Sequence, residues 1–239
     1  MAKTIIIGAT SGIGRELAKI LSCQGHEVGL VGRREALLAE VAAELPNKAH
    51  TRRIDIALAG EAIHQLEELI EEMNGVELIV ISAGTGYLNP ELEWSLEQKT
   101  VDTNVAGFAA MCNVAMNYFA QQGKGHLVGI SSIAAIRGNG RAPAYSASKA
   151  FVSNYLQGLR LWAHIKKLPI TVTEIQPGFV DTAMAKGDGL FWLAPAEKAA
   201  QQVAEAISDK TPHAYITRRW RIIAWLLQIL PEWMLRRLL

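Results

Sequence analysis

Several features are scarce in this sequence, and each scarcity excludes something. There are only two cysteines, Cys23 and Cys112, and they form no C-x-x-C pair. A disulfide scaffold or thiolate metal site is not expected, and both are read as small buried hydrophobes in a reducing compartment. The six histidines, at 26, 50, 64, 126, 164 and 213, lack ligand spacing, so no metal site is expected. Charge of one sign is missing too: 24 Lys plus Arg stand against 23 Asp plus Glu, a net charge of +1. That balance leaves no electrostatic footprint for nucleic acid. The longest uncharged apolar stretch, Ile222 to Pro231, is far below the roughly 20 residues of a spanning helix. The apolar start at Thr4–Gly8 is too short for a secretory leader, and a cytoplasmic protein is expected.

What is present is alternation. Short β-rich runs occur at Thr4–Gly8, Glu27–Gly32, Ala49–Ile54, Glu77–Ser82, His126–Ser131, Ile170–Gln176 and Ala214–Thr217. Between them, Gly12–Gln24, Glu35–Leu45, Leu58–Met73, Ser95–Gln122, Ala144–Lys166 and Pro195–Ser208 carry apolar residues at helical spacing. Strand–helix alternation implies right-handed βαβ units. Near-continuous Val/Ile/Leu strands imply a sheet buried on both faces. The expected fold is α/β, a Rossmann-like doubly wound parallel sheet of about seven strands with helices on both faces. Residues 1–217 are read as a single dinucleotide-binding and catalytic domain, and 218–239 as an apolar, arginine-rich helical extension packed on it or on a partner.

The first strand ends in Gly8-Ala-Thr-Ser-Gly12-Ile-Gly14, and a helix follows. Gly8 suits a tight turn. Gly12 and Gly14 would let the backbone approach a pyrophosphate at the helix N-terminus, where free N–H groups and the dipole favour an anion. The second strand ends in Gly32-Arg33-Arg34, with no carboxylate before Glu35. An arginine there suits an adenosine 2′-phosphate, so NADP is expected rather than NAD. Farther on, Tyr145 and Lys149 stand four apart at the start of a helix and project from one face. Ser132 follows a strand thirteen residues earlier, and Asn104 lies in the preceding long helix near Gly107.

With these motifs in this order, the chain resembles the single-domain branch of the short-chain dehydrogenase/reductase family, from Gly8 to about Thr182. The resemblance rests on Gly8-x3-Gly12-x-Gly14, Asp55, Ala83-Gly84, Asn104, Ser132, Tyr145-x3-Lys149 and Pro177-Gly178-x3-Thr182. It implies hydride transfer between NADP (NADPH) and a carbonyl or alcohol. Tyr145 would be the general acid or base, its pKa lowered from about 10 by Lys149 together with the cationic oxidised nicotinamide, and Lys149 would also bond the nicotinamide ribose. Ser132 would polarise the substrate oxygen, and Asn104 would fix a water of a proton relay. Asp55 would bond the adenine amino group, Thr182 the carboxamide, and Pro177-Gly178 would shape the adjoining wall. The resemblance further implies cofactor contacts at Thr10, Ser11, Ile13, Ile56, Ala83, Gly84 and Val180. Two positions depart from the family pattern: Ile7 replaces a threonine, and Ser82 replaces an asparagine that braces the loop.

After Thr182 a lid is expected, hinged at Gly187 and Gly189, with Leu190–Leu193 facing a hydrophobic substrate or packing on the core. The segment 218–239 holds five arginines and one glutamate, with apolar positions nearly all round a helix. It would pack over the cleft or a subunit boundary, or touch a membrane surface peripherally. In the helix over 144–166, one apolar stripe is Phe151, Tyr155, Leu159 and Trp162, and beside it lie Val152 and Leu156. So wide an arc, like the family resemblance, implies a homodimer or homotetramer. The alternative to an enzyme is a non-catalytic NADP-binding sensor or scaffold on the same fold. The intact Asn104, Ser132, Tyr145 and Lys149 favour catalysis.

Overall fold

The computed structural model describes residues 2–182 and 191–234. Its strands are β1 (Lys3–Ile7), β2 (Glu27–Gly32), β3 (Ala49–Arg53), β4 (Leu78–Ile81), β5 (Gly125–Ile130), β6 (Ile170–Pro177) and β7 (His213–Ile216). They form one parallel sheet in the order β3-β2-β1-β4-β5-β6-β7. The helices are α1 (Gly12–Cys23), α2 (Glu35–Glu44), α3 (Ala59–Glu72), α4 (Trp94–Val101), α5 (Phe108–Gln122), α6 (Pro143–Ile165), α7 (Ala196–Ser208) and α8 (Trp220–Ile229).

The side-chain period of two along the strands sorts the core into two layers. Ile5, Ile7, Ile79 and Ile81 point to the face covered by α3, α5 and α6, where Leu66, Phe119 and Leu156 meet them. Ile6, Val28, Leu30 and Val80 point to the other face, covered by α1, α2 and α7 through Leu17, Leu38 and Val203. Both faces of the central strands are therefore dry, which is why β1, β2 and β4 read as aliphatic runs, whereas the edge strands β3 (Ala-His-Thr-Arg-Arg) and β7 (His-Ala-Tyr-Ile) are mixed. The strand order reverses between β1 and β4, and that switch point opens a crevice at their carboxyl ends. On α6, Val152 and Leu156 enter the core, while Phe151, Tyr155, Leu159 and Trp162 pack at its edge half-buried. Phe151 and Tyr155 stack with centroids 5.2 Å apart.

Two expectations need correction. The single helix expected over Ser95–Gln122 is broken by a π-helical turn, Asp102–Gly107, between α4 and α5. Cys112 is buried, but Cys23 is exposed, because it ends α1 just before the turn at Gln24-Gly25. The tail helix is apolar nearly all round, as expected, but is covered on one side only. α8 buries Trp220 and Ala224, with Ile223 and Leu227 partly buried, against Ile133, Ile136 and Phe179, and leaves its opposite side exposed. The expected hinges Gly187 and Gly189, and Leu190, lie outside the described residues, as do residues 235–239.

Candidate active site

The loop after β1 is built by backbone geometry. Gly8 has φ +96°, and a Cβ there would sit 2.5 Å from the Ala83 backbone nitrogen. Only glycine lets the ends of β1 and β4 approach so closely. Gly12, at φ +56°, is also left-handed, and Thr182 lies over it, its methyl 2.9 Å from where a Cβ would stand. At Gly14 a Cβ would meet the Gly8 carbonyl oxygen at 2.2 Å, so this glycine also seats α1 against the loop. Thr10 is buried, Ser11 is exposed, and Ile13 packs partly against the core. Ser11 caps α1 without a side-chain bond, leaving first-turn N–H groups directed outward for an anion.

The two departures at Ile7 and Ser82 do not loosen this loop. The Ile7 carbonyl accepts from both Ser82 and Ala83 N–H at 2.8 Å, and the Val31 carbonyl accepts from Gly8 and Ala9 N–H at 2.8 and 3.0 Å. Backbone bonds brace what the missing side chains would have braced.

At the end of β2 the two arginines behave differently. Arg34 donates to Thr10 Oγ1 at 2.7 Å and Ser11 Oγ at 3.1 Å, so its guanidinium is anchored on the loop. Arg33 is largely exposed, 4.0 Å from Asp55 Oδ2. Asp55 Oδ1 also accepts the Ala57 N–H at 3.1 Å. Ile56 is buried, and its carbonyl oxygen lies against Gly107, 2.2 Å from where a Cβ would stand. Two guanidinia, an anchored carboxylate and an outward helix N-terminus form one donor set along the crevice. Its chemistry fits the adenosine and pyrophosphate of a nicotinamide dinucleotide.

Ser132, Tyr145, Lys149 and Asn104 converge where β4 and β5 end. Lys149 is 5% exposed and donates to the Ile130 carbonyl at 3.0 Å. Its Nζ lies 5.9 Å from the Tyr145 ring centroid. Burial lowers its pKa to about 8. Burial raises the Tyr145 pKa, and a hydrogen bond with Ser132 opposes that rise. The lowering expected from Lys149 acting together with the cationic nicotinamide concerns the cofactor-bound site. Ser132 Oγ accepts the Ala134 N–H at 3.1 Å, which leaves its own hydrogen to donate.

Asn104 sits in the π-helical turn, where the wider backbone re-aims side chains. Its amide donates to the Thr85 carbonyl at 2.7 Å and Ser148 Oγ at 2.9 Å, and its Oδ1 accepts the Thr85 N–H at 2.8 Å. Both amide hydrogens are used, so only an Oδ1 lone pair remains for the expected water. Gly84 comes close to both groups: a Cβ there would lie 3.3 Å from Lys149 Nζ and 3.4 Å from Asn104 Oδ1.

Several supporting residues were not singled out from sequence. Gly86 lies under the Tyr145 ring, 2.6 Å from Cδ2 to a would-be Cβ. Ser148 holds Asn104, a position that the Tyr145-x3-Lys149 spacing passes over. Gln176 donates to the Ser132 carbonyl at 3.1 Å, and its Oε1 is 3.0 Å from His213 Nε2. Trp220 closes on Gly178, where a Cβ would meet its indole at 1.9 Å. Pro177 ends β6, the Gly178 N–H donates to the Ile216 carbonyl at 2.6 Å, and Val180 is buried beside Ala194. Phe191, Trp192 and Leu193 are 47, 41 and 41% exposed, and the first two rings touch Trp220 from 5.2 and 6.0 Å.

The buried lysine gives a pH signature with a definite sign. The unfolded lysine titrates near 10.5 and the folded one near 8, so the native state binds fewer protons between those values. Stability contributed by this site therefore rises with pH across that window. From pH 8 to 10 the wild type should gain about 2 kcal/mol relative to Lys149→Met in urea unfolding. Parallel pH curves for the two proteins would remove the buried-ammonium explanation.

Comparison with known proteins agrees with this geometry. A family model described as short chain dehydrogenase matches residues 2–189. An uncharacterised oxidoreductase of Mycobacterium tuberculosis is 30% identical over 246 residues, covering 98% of this chain and 96% of that protein. A short-chain dehydrogenase from Sphingobium yanoikuyae in complex with NADPH shares the fold with TM-score 0.81 at 20% identity, covering 95% of this chain and 94% of that one. An alcohol dehydrogenase from the archaeon Thermococcus sibiricus, complexed with 5-hydroxy-NADP, superposes with TM-score 0.80 at 20% identity, covering 90% and 95%. The convergence of a glycine-braced phosphate loop with a Ser-Tyr-Lys cluster, together with the family match, makes this chain an oxidoreductase of the short-chain dehydrogenase/reductase family.

Proposed function

We propose that the protein is an NADPH-dependent reductase of apolar carbonyl compounds, with Tyr145 as proton donor. The carrying observation is the convergence of Ser132, Tyr145 and Lys149 at the mouth of a crevice whose far end holds Arg33 and Arg34. A bound nicotinamide dinucleotide would supply the hydride, and every other requirement falls to side chains of this chain. Arg33, Arg34 and Asp55 would hold the adenosine end, the Gly8–Gly14 loop the pyrophosphate, and Thr182 with Pro177-Gly178 the nicotinamide end.

The Ser132 hydroxyl donates to the substrate oxygen, where negative charge develops. Tyr145 then transfers its phenolic proton to that oxygen. Burial keeps the phenol protonated at neutral pH, which suits a donor. Lys149, with a pKa of about 8, is poised to return a proton to the phenolate. Asn104 and Gln176 act by position: one fastens the Thr85 backbone beside Lys149, the other holds the Ser132 carbonyl.

The apolar preference follows from the surroundings. Ile133 succeeds Ser132, Phe179 succeeds Gly178, and both pack with Trp220 and Ile136. The Phe179 and Trp220 rings meet edge-on at 5.2 Å. A substrate oxygen bound at Ser132 thus has hydrocarbon around its substituents. The test is NADPH consumption with a panel of ketones, comparing the wild type with Tyr145→Phe.

A further inference from the structure

We infer that α8 docks this protein on an anionic lipid surface. The inference is independent of the proposed reaction, because it rests on a face of the molecule directed away from the site.

At about 100° per residue, the buried residues Trp220, Ile223, Ala224 and Leu227 fall within one arc of α8. The opposite arc, about 140° to 240° from Trp220, contains Trp225, Ile229, Ile222 and Leu226. These four are 59, 57, 61 and 39% exposed. A ten-residue helix thus carries two apolar faces, and only one of them meets the fold. Scattered exposed aliphatics need no explanation, but a contiguous apolar arc with an aromatic at its edge does.

The helix is held rigidly. Arg137 donates through Nε to the Leu227 carbonyl at 2.7 Å, and through NH2 to the Gln228 and Leu230 carbonyls at 2.9 and 3.0 Å. A cation on the last carbonyls of a helix satisfies them and suits its dipole. The exposed arc is therefore presented on a helix clamped at its end.

Charge decides what the arc meets. Arg218, Arg219 and Arg221 gather at the N-terminal end of α8, all three exposed. Cations at that end oppose the helix dipole; Arg218 is paired with Glu205 Oε2 at 2.9 Å, so the net positive charge there comes from Arg219 and Arg221. Arg219 lies 4.9 Å over the Trp192 ring and donates to the Trp192 carbonyl at 3.0 Å, joining the exposed 191–193 segment to the same region. An apolar arc beside clustered arginines matches acyl chains beside anionic headgroups. Among the described residues no helix is long and apolar enough to cross a membrane, so α8 would lie in the surface plane.

The test is co-sedimentation of the full chain with vesicles of phosphatidylcholine alone, or with roughly a third phosphatidylglycerol. The wild type should pellet with the anionic vesicles and far less with the neutral ones. Arg221→Gln should lower the partition coefficient about fivefold, the equivalent of about 1 kcal/mol for one arginine near the surface. The double variant Trp225→Glu, Ile229→Glu should abolish pelleting with an unchanged melting temperature, since both positions face water. Wild-type protein remaining in the supernatant with anionic vesicles would overturn the inference. So would undiminished pelleting of the double variant. A dimer in sedimentation velocity that the double variant converts to monomer would assign the arc to a second copy and overturn it equally.

Discussion

Replacing Tyr145 by phenylalanine should lower kcat for NADPH-dependent ketone reduction by about 10²- to 10⁴-fold, the usual contribution of a positioned general acid. The dissociation constant for NADPH should stay within about twofold, because the variant removes one oxygen and keeps the ring against Gly86. Nothing nearby replaces the phenol. Ser132 is a hydroxyl with no base of its own, and the Lys149 ammonium is turned to the Ile130 carbonyl. A loss in kcat without a loss in cofactor affinity places the defect in the chemical step. Unchanged NADPH consumption in the variant would remove Tyr145 from the reaction.

The second large effect concerns the cofactor. Arg34→Ala should weaken NADPH binding about 10- to 100-fold, the loss of a charge-assisted hydrogen bond of about 1.5–3 kcal/mol. Binding of NADH should change by no more than about threefold, because it lacks the 2′-phosphate. Arg34 is the sharper target, since Thr10 and Ser11 hold its guanidinium over the loop. Arg33, mostly exposed, is freer to reach the same phosphate or to stack on adenine, and Arg33→Asp should also weaken NADPH binding selectively. Measuring both dissociation constants by fluorescence titration separates the outcomes. An equal loss for NADH and NADPH would mean that the arginines merely support the loop.

Much of the fold and of the site is legible in the residues. The aliphatic runs that became the central strands β1, β2 and β4 have the short length and continuity of strands buried on both faces, and that implies helices on either side. The spacing of Tyr145 and Lys149 puts them one helical turn apart without reference to any structure. What could not be read has a common cause, because it depends on contacts distant in sequence or on phase. The π-helical turn at Asp102–Gly107 adds one residue to a turn, and no periodicity in Asp-Thr-Asn-Val-Ala-Gly announces it. The role of Gly14 depends on the Gly8 carbonyl, and the support of Ser132 by Gln176 joins residues 44 apart. Arg137 finds the end of α8 across 90 to 93 residues. The tail shows the limit most clearly: apolar residues at nearly every phase disclose that a helix must be covered, but not on which face. The Trp220–Gly178 contact decides it.

The opposed shifts of Tyr145 and Lys149 also sharpen the chemistry. A phenol whose pKa is raised by burial stays protonated at rest, and a lysine near 8 can return a proton to the phenolate once it has formed.

The central claim is direct hydride transfer to a carbonyl carbon at this site. Its most direct measurement uses NADPH deuterated at one face of nicotinamide C4, incubated with an apolar ketone, with the product alcohol analysed by mass spectrometry. Direct transfer gives an alcohol one mass unit heavier, labelled on the carbinol carbon, from only one of the two C4 epimers, and none with Tyr145→Phe beyond its residual rate. Tight NADPH binding with no labelled alcohol from any ketone or aldehyde tried would contradict the claim and leave a nucleotide-binding protein without this reaction.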